Sequence, residues 1–91
     1  MKEVIVVEKT VVIKNKQGLH ARPAALFVQI ANKFDSDIVV SKGKAKVNGK
    51  SIMGLLTLAA EKGAALHIKV NGHDAKEAMK ELEKVILGDT P

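Results

Sequence analysis

Apolar positions recur along the chain with two different periods, and the switches between them divide it into seven elements. From Val4 to Ile13 the chain is rich in Val, Ile and Thr. From Val7 onward, Val7, Lys9, Val11 and Ile13 alternate with Glu8, Thr10 and Val12, the two-residue period of a strand. Ala24, Phe27, Val28, Ala31 and Phe34 then share one stripe at helical spacing, backed by Gln29, Asn32 and Lys33, which predicts a helix ending near Phe34. Asp37 to Lys42 and Ala45 to Asn48 flank Lys42-Gly43-Lys44, a loop whose glycine can take positive φ, so this stretch predicts a hairpin. Asn48-Gly49 breaks the chain before a short helix from Ser51 to about Ala60, with Lys62-Gly63 as its stop.

Ala65 to Val70 turns Leu66, Ile68 and Val70 one way and His67 and Lys69 the other, a half-buried strand ending at Asn71-Gly72. The last helix opens at Asp74, with Glu77 at capping-box spacing, and carries Ala75, Ala78, Met79, Leu82, Val85 and Ile86 as its stripe up to Gly88. The predicted order is β-α-β-β-α-β-α. Strands of this kind bury one face only, so an α+β domain is expected, with an antiparallel sheet, all helices on one side and water on the other.

Composition narrows the picture. At 91 residues, with no linker-like or repeated segment, the chain is expected to be a single domain spanning 1–91. Its apolar content of 46% includes no run long enough for a membrane span, and the start lacks the apolar core of a secretory signal. With no cysteine, disulfide and thiolate-metal chemistry are excluded and a cytoplasmic location is the default expectation.

The net charge of +5 raises a nucleic-acid-binding module as a remote alternative. Against it, Phe27 and Phe34 are the only aromatic residues and both fall on the apolar helical stripe, while the lysines are scattered among Glu and Asp. Acidic protein partners are the better meaning of the charge. Direct nucleic-acid contact and membrane insertion are not expected, and without a heptad seam the chain is expected to be a monomer.

Candidate chemistry concentrates in "GLHARPA", Gly18 to Ala24. Pro23 is comfortable only in the first turn of a helix, so His20 falls at the N-cap and the N–H groups of Ala21 and Arg22 are left pointing outward. A helix start with free donors is an anion site, each charge–dipole interaction being worth ~0.3–1 kcal/mol. An imidazole is mostly neutral and nucleophilic at pH 7, whereas Ser or Lys would need activation. The single arginine among fourteen lysines stands two residues on and offers a planar fork suited to phosphate.

Together these features point to a phosphohistidine at His20, cradled by the Ala21 and Arg22 N–H groups and the guanidinium. The plain alternative is a histidine that only caps a helix. His67, on the outward phase of a strand, and His73, in a turn, are expected to be solvated surface residues. No His–carboxylate group has metal-ligand spacing and no glycine-rich nucleotide loop occurs, so neither a metal nor a cofactor is expected.

"GLHARPAALFVQIANKF" and "NGKSIMGLLTLAAEKG" resemble the two signature regions of the HPr family, the histidine-containing phosphocarriers of the bacterial sugar phosphotransferase system. The similarity runs from about Val6 over nearly the whole chain, leaving residues 1–5 as an N-terminal extension. It implies an open-faced β-sandwich with a four-stranded antiparallel sheet and three helices on one face. It also implies that His20 is phosphorylated at Nδ1 by enzyme I at the expense of phosphoenolpyruvate and dephosphorylated by enzyme IIA domains, a shuttle rather than an enzyme.

In the same resemblance Ser51 matches a regulatory serine modified by an HPr kinase/phosphorylase, after which a catabolite-control transcription regulator can be a partner. Ser51 suits an N-cap, and Ile52, Met53 and Leu56 are read as a docking patch, with Leu55, Leu58 and Ala59 on the core side. Gln17 departs from the small polar residue that relatives often carry before the active histidine. A regulatory-only relative in carbon or nitrogen control is the alternative within the family; the intact His20 and Arg22 favour the carrier.

Overall fold

The structure is a computed structural model that describes residues 5–88. Its elements follow the predicted order: β1 (Val6–Val12), α1 (Ala21–Ala31), β2 (Asp37–Lys42), β3 (Ala45–Asn48), α2 (Ile52–Thr57), β4 (Ala65–Asn71) and α3 (Ala75–Leu87). The sheet runs β1-β4-β2-β3 with every neighbour antiparallel, so the last strand is inserted between the first two. Of the expected N-terminal extension, residues 1–4 lie outside the described residues, as does Val4 of the expected first strand. Ile5 is tied to the fold: its carbonyl accepts the Gly72 N–H at 2.9 Å and its side chain packs against the core.

Period-two alternation decides which face is covered. Val11, Leu66, Ile68, Val70, Ile38 and Val40 are buried beneath the helices, while Glu8, Thr10, Lys69 and Val39 lie on the open face. From the helical side come Phe27, Leu55, Met79 and Leu82, all fully buried, each contributing about 1.5–3 kcal/mol relative to exposure. α3 lies over β1 and β4, and α1 packs beside α3 and α2.

Four expectations need correction. First, α1 stops at Ala31. Lys33 N–H reaches the Ile30 carbonyl at 3.0 Å and Phe34 N–H reaches that of Ala31 at 3.2 Å, i→i−3 bonds that tighten the chain out of the helix. Phe34 keeps its place in the core from the turn, which is why the apolar period outruns the helix.

Second, α2 ends at Thr57 rather than Ala60, and Lys62-Gly63 is not its stop; the Gly63 N–H instead extends the β1–β4 ladder to the Ile13 carbonyl at 2.8 Å. Third, Ala59 is exposed, not on the core side: its φ of +49° turns the chain, and Ala60 is buried in its place.

Fourth, Asp74 is the N-cap of α3 but forms no capping box. Its carboxylate accepts the Asp35 N–H at 2.9 Å, the Ser36 N–H at 3.1 Å and the Ser36 hydroxyl, clasping the α1–β2 turn to the start of α3. Ser36 is fully buried, so this clasp satisfies polar groups that have left water. The Ser36 hydroxyl bond, with the two backbone N–H groups and against a burial effect that opposes them, holds the Asp74 carboxyl below the usual aspartate range.

Gly18 and Gly43 both have positive φ, +70° and +60°, but only Gly18 is hemmed in: an added Cβ would lie 2.9 Å from the Glu61 Cα, against the Ala60 carbonyl, whereas Gly43 faces open space. Gly18→Ala is expected to lose about 2–4 kcal/mol, backbone strain plus overpacking, and Gly43→Ala only about 1 kcal/mol, as urea unfolding will measure. Because the folded-state pKa of Asp74 is depressed, its contribution is present above the unfolded value near 3.9 and lost as pH falls through the folded one. Asp74→Asn should therefore be less stable than the parent at neutral pH, and thermal melts should show the gap closing below about pH 4.

Candidate functional site

The loop that carries the histidine is built before the helix begins. Gly18 N–H returns to the Asn15 carbonyl at 3.0 Å, buried Leu19 donates its N–H to the Ala60 carbonyl at 2.8 Å, and His20 N–H reaches the Gly18 carbonyl at 3.1 Å. His20, a half-buried residue, is the N-cap of α1 in extended conformation, φ −98° and ψ −172°, where the position of Pro23 predicts the helix start. The first intrahelical bond is Ala24 N–H to the His20 carbonyl at 3.0 Å. Among the described residues the Ala21 and Arg22 N–H groups have no backbone acceptor, and no acidic residue in the first turn offsets the positive helix end.

His20 and Arg22 are walls of one depression, together with Lys14, Asn15, Gln17 and the C-terminal end of α3 at Leu87 and Gly88. Two cationic side chains and the open end of an eleven-residue helix thus share one solvent-open depression with the imidazole. That arrangement can accept a small dianion at a ring nitrogen and neutralise it without a metal.

Asn15 and Lys14 were not singled out by the sequence reading. The Asn-Lys-Gln-Gly run is the available signal, since Asn at the head of a turn hydrogen-bonds the backbone two residues on: Asn15 Oδ1 accepts the Gln17 N–H at 3.2 Å. The loop is therefore organised by Asn15, and Gln17 contributes its backbone N–H to that organisation.

Ser51 caps α2, its hydroxyl accepting the Gly54 N–H at 3.0 Å. Met53 is 68% exposed and Ile52 38%, while Leu56 is half-buried against the core and Leu55 and Leu58 are inside. None of Ser51, Ile52, Met53 and Leu56 lines the His20 depression; α2 approaches that loop through its exit at Ala60. Phe27 and Phe34 are both buried, so neither serves as a platform for stacking bases.

The other histidines are surface residues, as expected, and each is also hydrogen-bonded to a carboxylate. On the open sheet face His67 Nε2 lies 2.8 Å from Glu8 Oε1 and its Nδ1 3.3 Å from Thr10 Oγ1, and the bond from His67 holds the Glu8 carboxyl below its ordinary value. His73 Nε2 lies 3.0 Å from Asp35 Oδ2, and with Asp74 the three donor atoms fall within 4.8 Å, a grouping that spacing along the chain could not reveal. Both Asp74 oxygens already accept the Asp35 and Ser36 donors, so this carboxylate is part of the fold. No helix among the described residues is long and apolar enough to cross a membrane.

Comparison with known proteins agrees with the fold. The family model PTS-HPr, described as the PTS HPr component phosphorylation site, matches residues 7–87. The chain is 54% identical over 76 residues to the HPr-like protein Crh of Halalkalibacterium halodurans, covering 84% of this chain and 90% of that one. It is 46% identical over 81 residues to the phosphocarrier protein HPr of Neisseria meningitidis serogroup A, covering 89% and 91% respectively. Among solved structures, the phosphocarrier HPr from Bacillus anthracis aligns with a TM-score of 0.84 at 47% identity, covering 89% of this chain and 96% of that one. The open-faced sandwich of four antiparallel strands and three helices is the fold these proteins share.

Replacing Ser51 by Ala removes the cap bond to Gly54 and is expected to cost about 1 kcal/mol, a fall in Tm of about 4–8 °C. Ser51→Asp, which keeps an acceptor oxygen there, should melt close to the parent in the same calorimetric scan.

Proposed function

The chain belongs to the HPr family, and on that premise we propose that it takes a phosphoryl group from enzyme I on His20 Nδ1 and delivers it to enzyme IIA domains in sugar uptake. Members of this family are phosphocarriers, intermediates in a relay rather than enzymes. The observation that carries the reading is the position of His20: N-cap of α1, reaching solvent, beside Arg22 in one depression and ahead of two N–H groups with no backbone acceptor among the described residues.

The chemistry follows from that placement. The lone pair of the neutral ring nitrogen attacks phosphorus as the donor's bond to phosphorus breaks, and the donor keeps that electron pair. The three phosphoryl oxygens meet the Ala21 and Arg22 N–H groups, the positive end of the helix and the guanidinium fork. In the second transfer the imidazole is the leaving group, and the acceptor on the partner takes its place at phosphorus. Lys14 and Arg22 beside the histidine favour partners whose docking face is acidic.

Ser51 supplies a second, regulatory reading within the same family, supported by the 54% identity to an HPr-like protein Crh and by Met53 and Ile52 standing exposed beside the capping serine. In this reading an HPr kinase/phosphorylase adds phosphate at Ser51, and a catabolite-control regulator docks over Ile52, Met53 and Leu56. A purely regulatory protein has no use for an acceptor imidazole flanked by a guanidinium, so the carrier reading takes precedence.

Incubation with enzyme I and labelled phosphoenolpyruvate should place an acid-labile label on the protein that His20→Ala abolishes. Absence of label from an active enzyme I would remove the carrier reading, and acid-stable label surviving His20→Ala would point to serine instead. Arg22→Lys is expected to slow transfer by about ten- to a hundredfold, the weight of one charge-assisted hydrogen bond, with the melting temperature nearly unchanged.

A further inference from the structure

We propose that Asn15 is a positioning residue for phosphoryl transfer at His20, an inference that rests on His20 being the acceptor. Asn15 makes three hydrogen bonds to the loop that leads into α1. Its Oδ1 accepts the Gln17 N–H at 3.2 Å, its carbonyl accepts the Gly18 N–H at 3.0 Å, and its Nδ2 donates to the Gly18 carbonyl at 3.4 Å. The same Gly18 carbonyl accepts the His20 N–H at 3.1 Å. One side chain thus holds the peptide group on which the backbone of the histidine is hung.

The restraint is needed because the other side of the loop is fixed independently. Leu19, buried, is tied by its N–H to the Ala60 carbonyl at 2.8 Å, and Gly18 is pressed against the Ala60–Glu61 backbone. Those contacts set where Leu19 sits but leave the Gly18 carbonyl, which points back toward residue 15, to be oriented from the solvent side. Asn15 is half-buried in the wall of the His20 depression and does this with a planar amide that offers acceptor and donor together. Ala offers neither, and Ser keeps a single hydroxyl that can close the turn to Gln17 but has no amide to donate to the Gly18 carbonyl.

The effect on function follows from geometry rather than contact. Asn15 acts through the backbone rather than on the phosphoryl group or the ring; it narrows the range of directions from which His20 meets a partner's phosphorus. Such alignment is expressed at saturation, because it acts within the bound complex, and small misplacements are known to cost up to a hundredfold. A residue that merely stabilised the loop would lower the melting temperature and leave the saturated rate alone when measured well below it.

The test uses the full chain with enzyme I and phosphoenolpyruvate, first on the parent protein and then on Asn15→Ala and Asn15→Ser. For Asn15→Ala the maximal rate of His20 phosphorylation should fall by about tenfold with KM within twofold and the His20 amide should exchange faster, while Asn15→Ser, which can close the turn but cannot hold the Gly18 carbonyl, should regain stability and stay slow. An Asn15→Ala protein with the parent's maximal rate, or an Asn15→Ser protein that regains it, overturns the inference. A parent protein that takes no label instead overturns the carrier reading beneath it, so the two failures are told apart.

Discussion

One backbone contact governs the geometry of the histidine: the Leu19 N–H to Ala60 carbonyl bond, which joins the loop before α1 to the exit of α2. For the two segments to come within 2.8 Å, residue 18 must have no side chain, and the chain at Ala59 must turn through a left-handed conformation. A non-glycine residue held at φ +49° is a local cost of about 1–2 kcal/mol that the surrounding packing offsets, through buried Leu19, Leu58 and Ala60. The strain sits one residue before the carbonyl that fixes the loop of His20. It is therefore part of the same device as the glycine.

α1 is anchored at both ends by partners from distant parts of the chain, and this makes its N-terminus a defined object. At the start, Ala60 holds Leu19; at the finish, the Asp74 carboxylate gathers the Asp35 and Ser36 N–H groups of the turn that follows. Between these ends Ala24, Phe27 and Ala31 are buried, so the helix cannot roll without exposing its core stripe. A helix fixed in position and in rotation presents the Ala21 and Arg22 N–H groups in one direction. Without such anchoring, the charge–dipole contribution would be averaged over orientations and lose its value to a bound anion.

Much of this was legible in the sequence where one physical rule acted alone. Pro23 placed the helix start correctly because a residue lacking an N–H has few other places to sit, and the buried stripe of α3 followed from helical spacing without competition. The readings failed where two demands met at one residue. Asp74 has the spacing of a capping box, yet its carboxylate answers the buried Ser36 and the Asp35 N–H, donors thirty-eight and thirty-nine positions away that no local rule can weigh. Phe34 continues the apolar period of α1 although the backbone has left the helix, because periodicity reports burial and only indirectly conformation. Asn15 escaped notice because a surface asparagine between lysines looks like any turn residue until its hydrogen bonds to Gly18 and Gln17 are seen.

The exposure of the site is as significant as its content. A carrier must hold the phosphoryl group between partners and then give it up, so stabilisation of the loaded state has to remain small compared with that in an enclosed enzyme site. An open helix end contributes roughly 0.3–1 kcal/mol per charge in water, whereas enclosed oxyanion donors are worth about 3–4 kcal/mol each. Half-buried His20 in a depression open to solvent lies at the weak end of that range by construction. In the proposed transfer, a docked partner that excludes water from the depression would place the same N–H groups and guanidinium in a lower dielectric, strengthening them while the group is in flight. Docking then assists transfer in either direction, and separation returns the carrier to a state that does not hold its cargo too tightly. The modest polarity of an exposed helix start is thus the property that suits this fold to passing a phosphoryl group on rather than keeping it.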